Sequence, residues 1–200
     1  PRFSPDGRAL SVTVAGGEEQ SIRIYPSVGG RELVTLANAE QATWLDSERL
    51  LFSRFEGEGA GLWEFRTGTG EERMVLPPEA DRWWWRGEPA SDGRLAVLGG
   101  PSDVQSGLYV FADLGTAPSE WMAPGHRITG FGWSPDGSSL VASVDGALMR
   151  VGEEGARALL PPMDALWAPA FSPDGTRLAV VRRWSRNDLV AVDPDGGDWL

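Results

Sequence analysis

The chain repeats one turn motif five times, and this repetition restricts the possible fold more than any other feature. Its clearest copies are Trp133-Ser-Pro-Asp-Gly-Ser-Ser-Leu140 and Phe171-Ser-Pro-Asp-Gly-Thr-Arg-Leu178. Proline sets φ at the second position of a type I turn, Asp continues the turn, and Gly supplies the left-handed residue that follows. A short connection that contains Gly between two β-rich runs predicts a β-hairpin.

The copies recur at a nearly constant spacing. The turn Asp, or the residue aligned with it, stands at positions 6, 47, 92, 136 and 174, with separations of 41, 45, 44 and 38. A period in the low forties with several short strands per unit is typical of β-propeller blades, and no window shows a convincing helical period. We therefore predict an all-β fold, a β-propeller of four-stranded antiparallel blades. The single domain or fragment has about five blades, at residues 1–37, 38–78, 79–124, 125–162 and 163–200.

Composition excludes several classes of site and partner. The formal net charge of −11 argues against nucleic-acid binding, because phosphate recognition depends largely on Lys and Arg. No apolar run approaches the roughly 20 residues of a membrane-spanning helix, so we expect no direct membrane insertion of this segment. The absence of Cys excludes disulfides, thiolate metal ligands and a cysteine nucleophile.

The repeat resembles the TolB-type, WD-like β-propeller repeat over essentially the whole chain. The resemblance rests on Trp/Phe-Ser-Pro-Asp-Gly-x-x-Leu-Ala, followed by a strand such as Ser21-Ile-Arg-Ile-Tyr25 and a Gly-Gly turn. Gly125-His126, ahead of Trp133, is similar to the Gly-His element of WD repeats, in which the His commonly braces a turn. The resemblance implies a bacterial protein located outside the cytoplasm, periplasmic, secreted or anchored.

The resemblance also implies a ring that often has six to eight blades. The first unit keeps only the end of an innermost strand, and the last lacks its outermost strand. We therefore expect these blades to be part of a larger ring. A five-bladed ring, or a blade shared between the two chain ends, remains the alternative.

No catalytic set emerges from the residues. The only His is His126, and there is no Gly-x-Ser-x-Gly motif, so we expect His126 to support a turn or loop. Asp193-Pro-Asp-Gly-Gly-Asp198 is similar to a calcium-binding loop, but a hairpin turn at this place also requires Asp and Gly. We predict no catalytic residues, no cofactor and no metal site in this segment.

The most unusual stretch is Asp81-Arg-Trp-Trp-Trp-Arg86. In a strand, Trp83 and Trp85 face one side and Trp84 the other, and filling the space between blades and at the channel rim would account for all three. The alternative is a binding role, because Trp and Arg are enriched at interaction hot spots. Loops from outermost to innermost strands and loops between middle strands share one face of a propeller. The predicted partner-binding residues near that face are Arg82, Trp83, Trp84, His126, Trp167, Arg183 and Trp184.

Two functions of different classes fit these features. The first is a non-catalytic binding or scaffold module, TolB-like, that presents one loop face to a protein or peptide partner. The second is the gating propeller of a prolyl-oligopeptidase-like serine peptidase whose catalytic domain lies outside this segment. A sugar-binding or sugar-cleaving propeller has a weaker basis, the ten Trp residues. We favour the binding module because the residues contain no catalytic set. The sequence leaves the partner and the oligomeric state open.

Overall fold

The computed structural model describes residues 1–15, 20–56, 59–102, 104–162, 166–183 and 187–197, without the side chain of residue 56. Within these ranges the chain forms β-strands and turns and no helix. Each sheet is built from strands that follow one another along the chain, and every recorded pair is antiparallel. The all-β prediction is therefore confirmed.

The described strands form five sheets. The first contains β1 Arg2–Phe3, β2 Ala9–Val14, β3 Ser21–Pro26 and β4 Val34–Ala37, and the second contains β5 Ala39–Trp44, β6 Arg49–Glu56, β7 Gly59–Arg66 and β8 Glu72–Leu76. The third contains β9 Trp83–Pro89, β10 Leu95–Gly100, β11 Ser106–Phe111 and β12 Ser119–His126. The fourth contains β13 Ile128–Trp133, β14 Leu140–Val144, β15 Ala147–Gly152 and β16 Gly155–Leu160, and the fifth β17 Leu166–Phe171, β18 Leu178–Arg183 and β19 Asn187–Val192. The outer strand predicted to begin at Asp198 lies outside the described residues.

The chain divides into two compact units, Pro1–Pro89 and Ala90–Leu200. Unit 1 holds the first two sheets and β9, and unit 2 holds β10 to β19. The boundary therefore falls between two consecutive strands of the third sheet. The two units are described separately below.

Each unit is held together by apolar side chains packed between neighbouring sheets. In unit 1, Ile22 and Ile24 of the first sheet pack with Leu50 and Phe52 of the second. In unit 2, Val141 and Leu148 of the fourth sheet pack with a set from the fifth: Leu166, Leu178, Val180 and Val192. All of these side chains are buried. Since apolar burial contributes about 25 cal/mol per Å², this packing between neighbouring sheets stabilises each unit.

The repeated turns have the geometry that the sequence predicts. In the fifth repeat, Ser172 Oγ donates to Asp174 Oδ1 (2.6 Å) and accepts from the Arg177 N–H (2.9 Å). The same Asp174 oxygen accepts from the Thr176 N–H (3.1 Å). Gly175 has a φ of +72°, in the left-handed region that favours Gly. The fourth repeat has the same bonds around Ser134 and Asp136, and Gly137 has a φ of +70°.

The second repeat forms its turn with a different residue from the one that the alignment indicates. Asp46, not the aligned Ser47, accepts from the backbone N–H groups of Glu48 (2.9 Å) and Arg49 (2.8 Å). The connection is one residue shorter here, so the acceptor moves one position towards the N-terminus. A carboxylate therefore still accepts the backbone hydrogen bonds of this turn, although the Ser-Pro-Asp-Gly motif is absent.

The innermost strands share an irregularity that the sequence analysis did not predict. Register shifts interrupt the pairing of β5, β13 and β17 with the next strand. Gln41, Arg86 and Ala168 have positive φ values of 56°, 49° and 44°. Each of the three residues precedes by three positions the residue that opens its turn motif. The bulge is thus a recurring feature of the innermost strand, and it re-aims the side chains around it.

Candidate binding surface

In each unit, the sheets have two kinds of end. We call one the Asp-turn face, because it carries the Ser-Pro-Asp-Gly hairpins between the first two strands of each sheet. We call the opposite one the loop face. It carries the connections from one sheet to the next and the hairpins between the second and third strands. Those predicted partner-binding residues that the structure describes belong to segments that lead into or out of this loop face.

In unit 1, the loop face carries an exposed aromatic pair. Phe55 stands near the end of β6 and is 54% exposed, and the half-buried Trp83 opens β9. Their ring centroids are 6.4 Å apart at an interplanar angle of 87°, an edge-to-face arrangement. Gly59 allows this approach, since a Cβ there would lie 3.3 Å from Trp83 Cδ1 and 2.8 Å from Pro78 Cβ. The pair is thus an apolar feature at the loop face of unit 1.

Arg82 lies beside this pair but directs its charge towards other groups of unit 1. Its guanidinium carbon is 5.2 Å from the centroid of the Trp84 ring, and Nη1 is 3.6 Å from Glu79 Oε2. Glu79 and Arg82 also bond through their backbones, with the Glu79 N–H donating to the Arg82 carbonyl (2.7 Å). The turn thus fixes the position of Arg82 at the entrance to β9.

The structure corrects the prediction for Trp84. The side chain is only 2% exposed, because it points to the opposite face of β9 from Trp83 and Trp85, as strand alternation requires. A buried ring cannot contact a partner, so Trp84 is a core residue. The binding role predicted for it is wrong.

His126 braces a hairpin in unit 2. Its Nδ1 lies 2.7 Å from Asp145 Oδ2, while Asp145 Oδ1 accepts from the Arg127 N–H (2.9 Å). Asp145 and Gly146 have φ values of +50° and +82°, the left-handed pair typical of a type I′ hairpin turn. Burial raises the pKa of Asp145, but the hydrogen bonds from His126 and Arg127 outweigh this effect and lower the pKa overall. This arrangement is the turn-bracing role expected of the Gly-His element.

Trp167 and Arg183 also lie at the loop face of unit 2. Trp167 is 38% exposed in β17, one residue before the bulge at Ala168. Arg183 is exposed at the end of β18, next to the residue that pairs with Leu166. Trp184 lies outside the described residues. The predicted set is thus divided, with Arg82, Trp83 and Trp84 in unit 1 and the others in unit 2.

A charged cluster on the innermost strands of unit 1 was missed by the sequence analysis. Arg2 Nη1 donates to Thr43 Oγ1 (2.9 Å) and to Glu88 Oε2 (2.6 Å), and Arg2 Nη2 donates to Glu88 Oε1. Arg86 Nε lies 3.6 Å from the same Glu88 oxygen. Arg2, Thr43 and Glu88 each stand one residue before the residue that opens the turn motif of their repeat. Aligning the repeats at that position therefore shows a polar or charged residue at the same place in three repeats, which is the sequence signal for this cluster.

The loop from Asp193 to Gly196 has the bonds of a turn. The Gly196 N–H donates to the Asp193 carbonyl (3.0 Å), and the Asp195 N–H donates to Asp193 Oδ1 (2.8 Å). Gly196 has a φ of +92°. Asp193 and Gly196 therefore have the geometry of a turn here, and Asp198, the last residue of the calcium-like motif, lies outside the described residues.

Comparison with known proteins supports the fold through structure alone. No protein-family model matches the chain, and no curated protein matches its sequence. TolB from Acinetobacter baumannii superposes with a TM-score of 0.76 at 14% identity, over 97% of this chain and 51% of TolB. A TolB-type protein from Agrobacterium tumefaciens gives a TM-score of 0.72 at 18% identity, over all of this chain and 78% of the other. The apo form of prolyl oligopeptidase B from Galerina marginata gives 0.70 at 16% identity, over all of this chain and 34% of the enzyme.

These similarities show a TolB-like β-propeller fold. At these identities they extend to the fold alone, and the chain spans about half the length of the Acinetobacter protein. In the peptidase, the matched region is about a third of the enzyme. Among the described residues of our chain, no helix has the length and apolar character needed to cross a bilayer.

Proposed function

We propose that this chain is a non-catalytic β-propeller module that binds a protein or peptide partner through its loop face. The observation that carries the proposal is the Phe55–Trp83 pair, an exposed and rigidly packed aromatic contact site. Aromatic side chains held in place lose little conformational freedom on binding and are enriched at hot spots. Arg82, the residue before Trp83, is held in place by Glu79 and the Trp84 ring. The proposed location, outside the cytoplasm, is taken from the resemblance of the repeat to the TolB type.

The aromatic pair gives a direct test of this function. Cross-linking in the native host identifies the partner, and titration with the purified partner then compares Trp83→Ala with the parent chain. We expect a loss of affinity of about thirtyfold or more, because truncating a hot-spot residue costs about 2 kcal/mol or more. Phe55→Ala is expected to act in the same direction. An unchanged affinity in both variants would contradict the proposal.

Val28 provides a matched control. It is 95% exposed in the connection between β3 and β4, which belongs to the Asp-turn face of unit 1. Val28→Ala also removes exposed apolar surface, but at the other end of the sheets. We expect its affinity for the partner to equal that of the parent chain, so that a general effect of surface hydrophobicity is distinguished from a local one.

A second candidate function is favoured by the similarity to prolyl oligopeptidase B, which matches all of this chain with a third of its own length. In this alternative the propeller would control access to a catalytic domain elsewhere in the protein. A serine peptidase of this kind requires a Gly-x-Ser-x-Gly motif with Asp and His partners. The sequence of this segment contains no Gly-x-Ser-x-Gly motif. The two candidates therefore differ in what the complete gene product contains.

A further inference from the structure

The connection that leads into Trp83 is a tight turn with charged residues. The Glu79 N–H donates to the Arg82 carbonyl (2.7 Å) and the Arg82 N–H donates to the Glu79 carbonyl (3.4 Å), so Ala80 and Asp81 form the tip of the turn. Both tip residues are exposed. The turn therefore places an exposed carboxylate, that of Asp81, two positions before Trp83 at the loop face of unit 1.

The opposite charges of this turn differ in how they are engaged. Arg82 has the Glu79 carboxylate at 3.6 Å and the centroid of the Trp84 ring at 5.2 Å. Among the residues that the structure describes, the Asp81 side chain has no ion pair and no hydrogen bond. The positive charge of the turn is thus balanced within the chain, whereas the negative charge of Asp81 is not.

Exposure alone does not leave a carboxylate unengaged at the loop face. In unit 2, the Asp145 side chain is 53% exposed, yet His126 Nδ1 lies 2.7 Å from its Oδ2. The Arg127 N–H donates to the other carboxylate oxygen of Asp145 (2.9 Å). The chain supplies these partners for Asp145 and, within its described part, none for Asp81. The Asp81 carboxylate therefore retains its capacity to pair with a cation from outside the chain.

The aromatic rings that follow Asp81 also favour a cationic side chain. The face of an aromatic ring attracts a cation within about 6 Å, and the methylene stem of Arg or Lys packs well on apolar surface. Phe55 is 54% exposed, and its edge-to-face contact with Trp83 holds the two rings in place. Residues 1–89 contain 10 Arg and 15 Asp or Glu residues, an acidic excess that attracts a basic partner over a distance.

We propose that the partner segment bound at the Phe55–Trp83 pair is basic, with an Arg or Lys side chain packed against the exposed rings and its charge beside Asp81. An acidic segment would instead meet the carboxylates of Asp81 and Glu79 and a single Arg that is already paired. A neutral apolar segment would bring apolar surface next to an uncompensated carboxylate, which is unfavourable. This inference rests on the proposed function and deepens it, because it states the chemistry of the partner.

Three peptides of equal length test the sign of the charge. They are acetyl-Gly-Arg-Ala-Arg-Gly-amide and its counterparts with Gln or with Glu in place of both Arg residues. The complete gene product is labelled with fluorotryptophan, and the fluorine NMR signal of Trp83, assigned with the Trp83→Phe variant, reports binding at the pair. We expect the Arg peptide to shift this signal saturably, the Gln peptide to bind about tenfold more weakly or not at all, and the Glu peptide to have no effect. No shift with the Arg peptide, or equally tight binding of the Gln or Glu peptide, would overturn the proposal.

Asp81→Asn and Glu71→Gln form a matched pair of variants that separates a local from a general effect of charge. Each removes one exposed carboxylate from unit 1, but Glu71 lies between β7 and β8, at the Asp-turn face. The titrations are made at about 10 mM salt, where screening is weak. We expect Asp81→Asn to weaken binding of the Arg peptide about two- to fivefold, the size of one exposed ion pair, and Glu71→Gln to leave it unchanged. Equal effects of the two variants would overturn the proposal.

Failure of this inference can be distinguished from failure of the proposed function. The titration of Trp83→Ala with the cross-linked native partner decides whether the pair binds a partner, and it does not depend on the peptides. If Trp83→Ala weakens binding of that partner while the three peptides bind equally, the binding module stands and the basic character of its partner segment is overturned.

Discussion

The ionised side chains of Asp136 and Asp174 make the stability of the repeated turns depend on pH. Hydrogen bonds from Ser134 and Ser172, followed by those from Ser138 and Thr176, lower the pKa of each carboxyl group from 3.8 to about 2. A group whose pKa is lower in the folded than in the unfolded state stabilises the fold above its unfolded pKa. That contribution is lost as the pH falls from about 4 through about 2. Both carboxyl groups remain ionised at neutral pH, so the turns are insensitive to pH there.

We predict that Asp174→Asn lowers the thermal unfolding midpoint most above about pH 4, and that the difference from the parent chain narrows towards pH 2. Asn keeps the size and an acceptor oxygen but loses the charge. Thermal unfolding at stepped pH values measures the difference. Ser172→Ala keeps the carboxylate and should raise the pKa of Asp174 towards 3.8 in an NMR titration. A difference between Asp174→Asn and the parent chain that is the same at every pH would contradict this account.

At the scale of the strand, a buried carboxylate stabilises the second sheet through ion pairs. The Glu64 side chain on β7 is 2% exposed and has guanidinium nitrogens of Arg66, Arg73 and Arg49 at 3.1, 3.6 and 3.7 Å. These three residues come from β6, β7 and β8, so one side chain links three strands. The sequence around Glu64 contains no motif that marks this role.

We predict that Glu64→Gln lowers the free energy of unfolding by about 1–2 kcal/mol. Removing one partner of a fully buried ion pair costs about 3–5 kcal/mol. We expect a smaller value because the three guanidinium groups are about half exposed and can be rehydrated. Urea unfolding measures the change. The control is Glu32→Gln, which breaks an exposed pair with Arg23 and should cost less than about 1 kcal/mol. Equal losses in the two variants would show that burial of Glu64 has no special effect.

The elements differ in how far the sequence predicts them. The Asp turns were predictable because their hydrogen bonds join residues two to five positions apart, so each motif carries its own signal. The bond from Arg2 to Thr43 spans 41 positions and that to Glu88 spans 86, so no local pattern marks them. Trp84 was misassigned because composition does not distinguish an exposed from a buried Trp within one strand.

At the scale of the whole molecule, the fold accommodates either a binding module or a peptidase gate. TolB from Acinetobacter baumannii and prolyl oligopeptidase B superpose on nearly the whole chain with TM-scores of 0.76 and 0.70. Function must therefore be argued from sites. The proposal of a binding module therefore rests on the Phe55–Trp83 pair. The single His engages the carboxylate of a hairpin turn.

We predict that the complete gene product, purified from its host, is not labelled by a fluorophosphonate probe for activated serines. A binding module contains no serine paired with a histidine base, so no covalent adduct should form. A prolyl oligopeptidase treated in parallel provides the positive control. Labelling would contradict the binding-module proposal and favour the peptidase gate. In that event His126→Ala locates the reaction: unchanged labelling would assign the catalytic serine and its histidine to a domain outside this segment, because His126 is the only histidine within it.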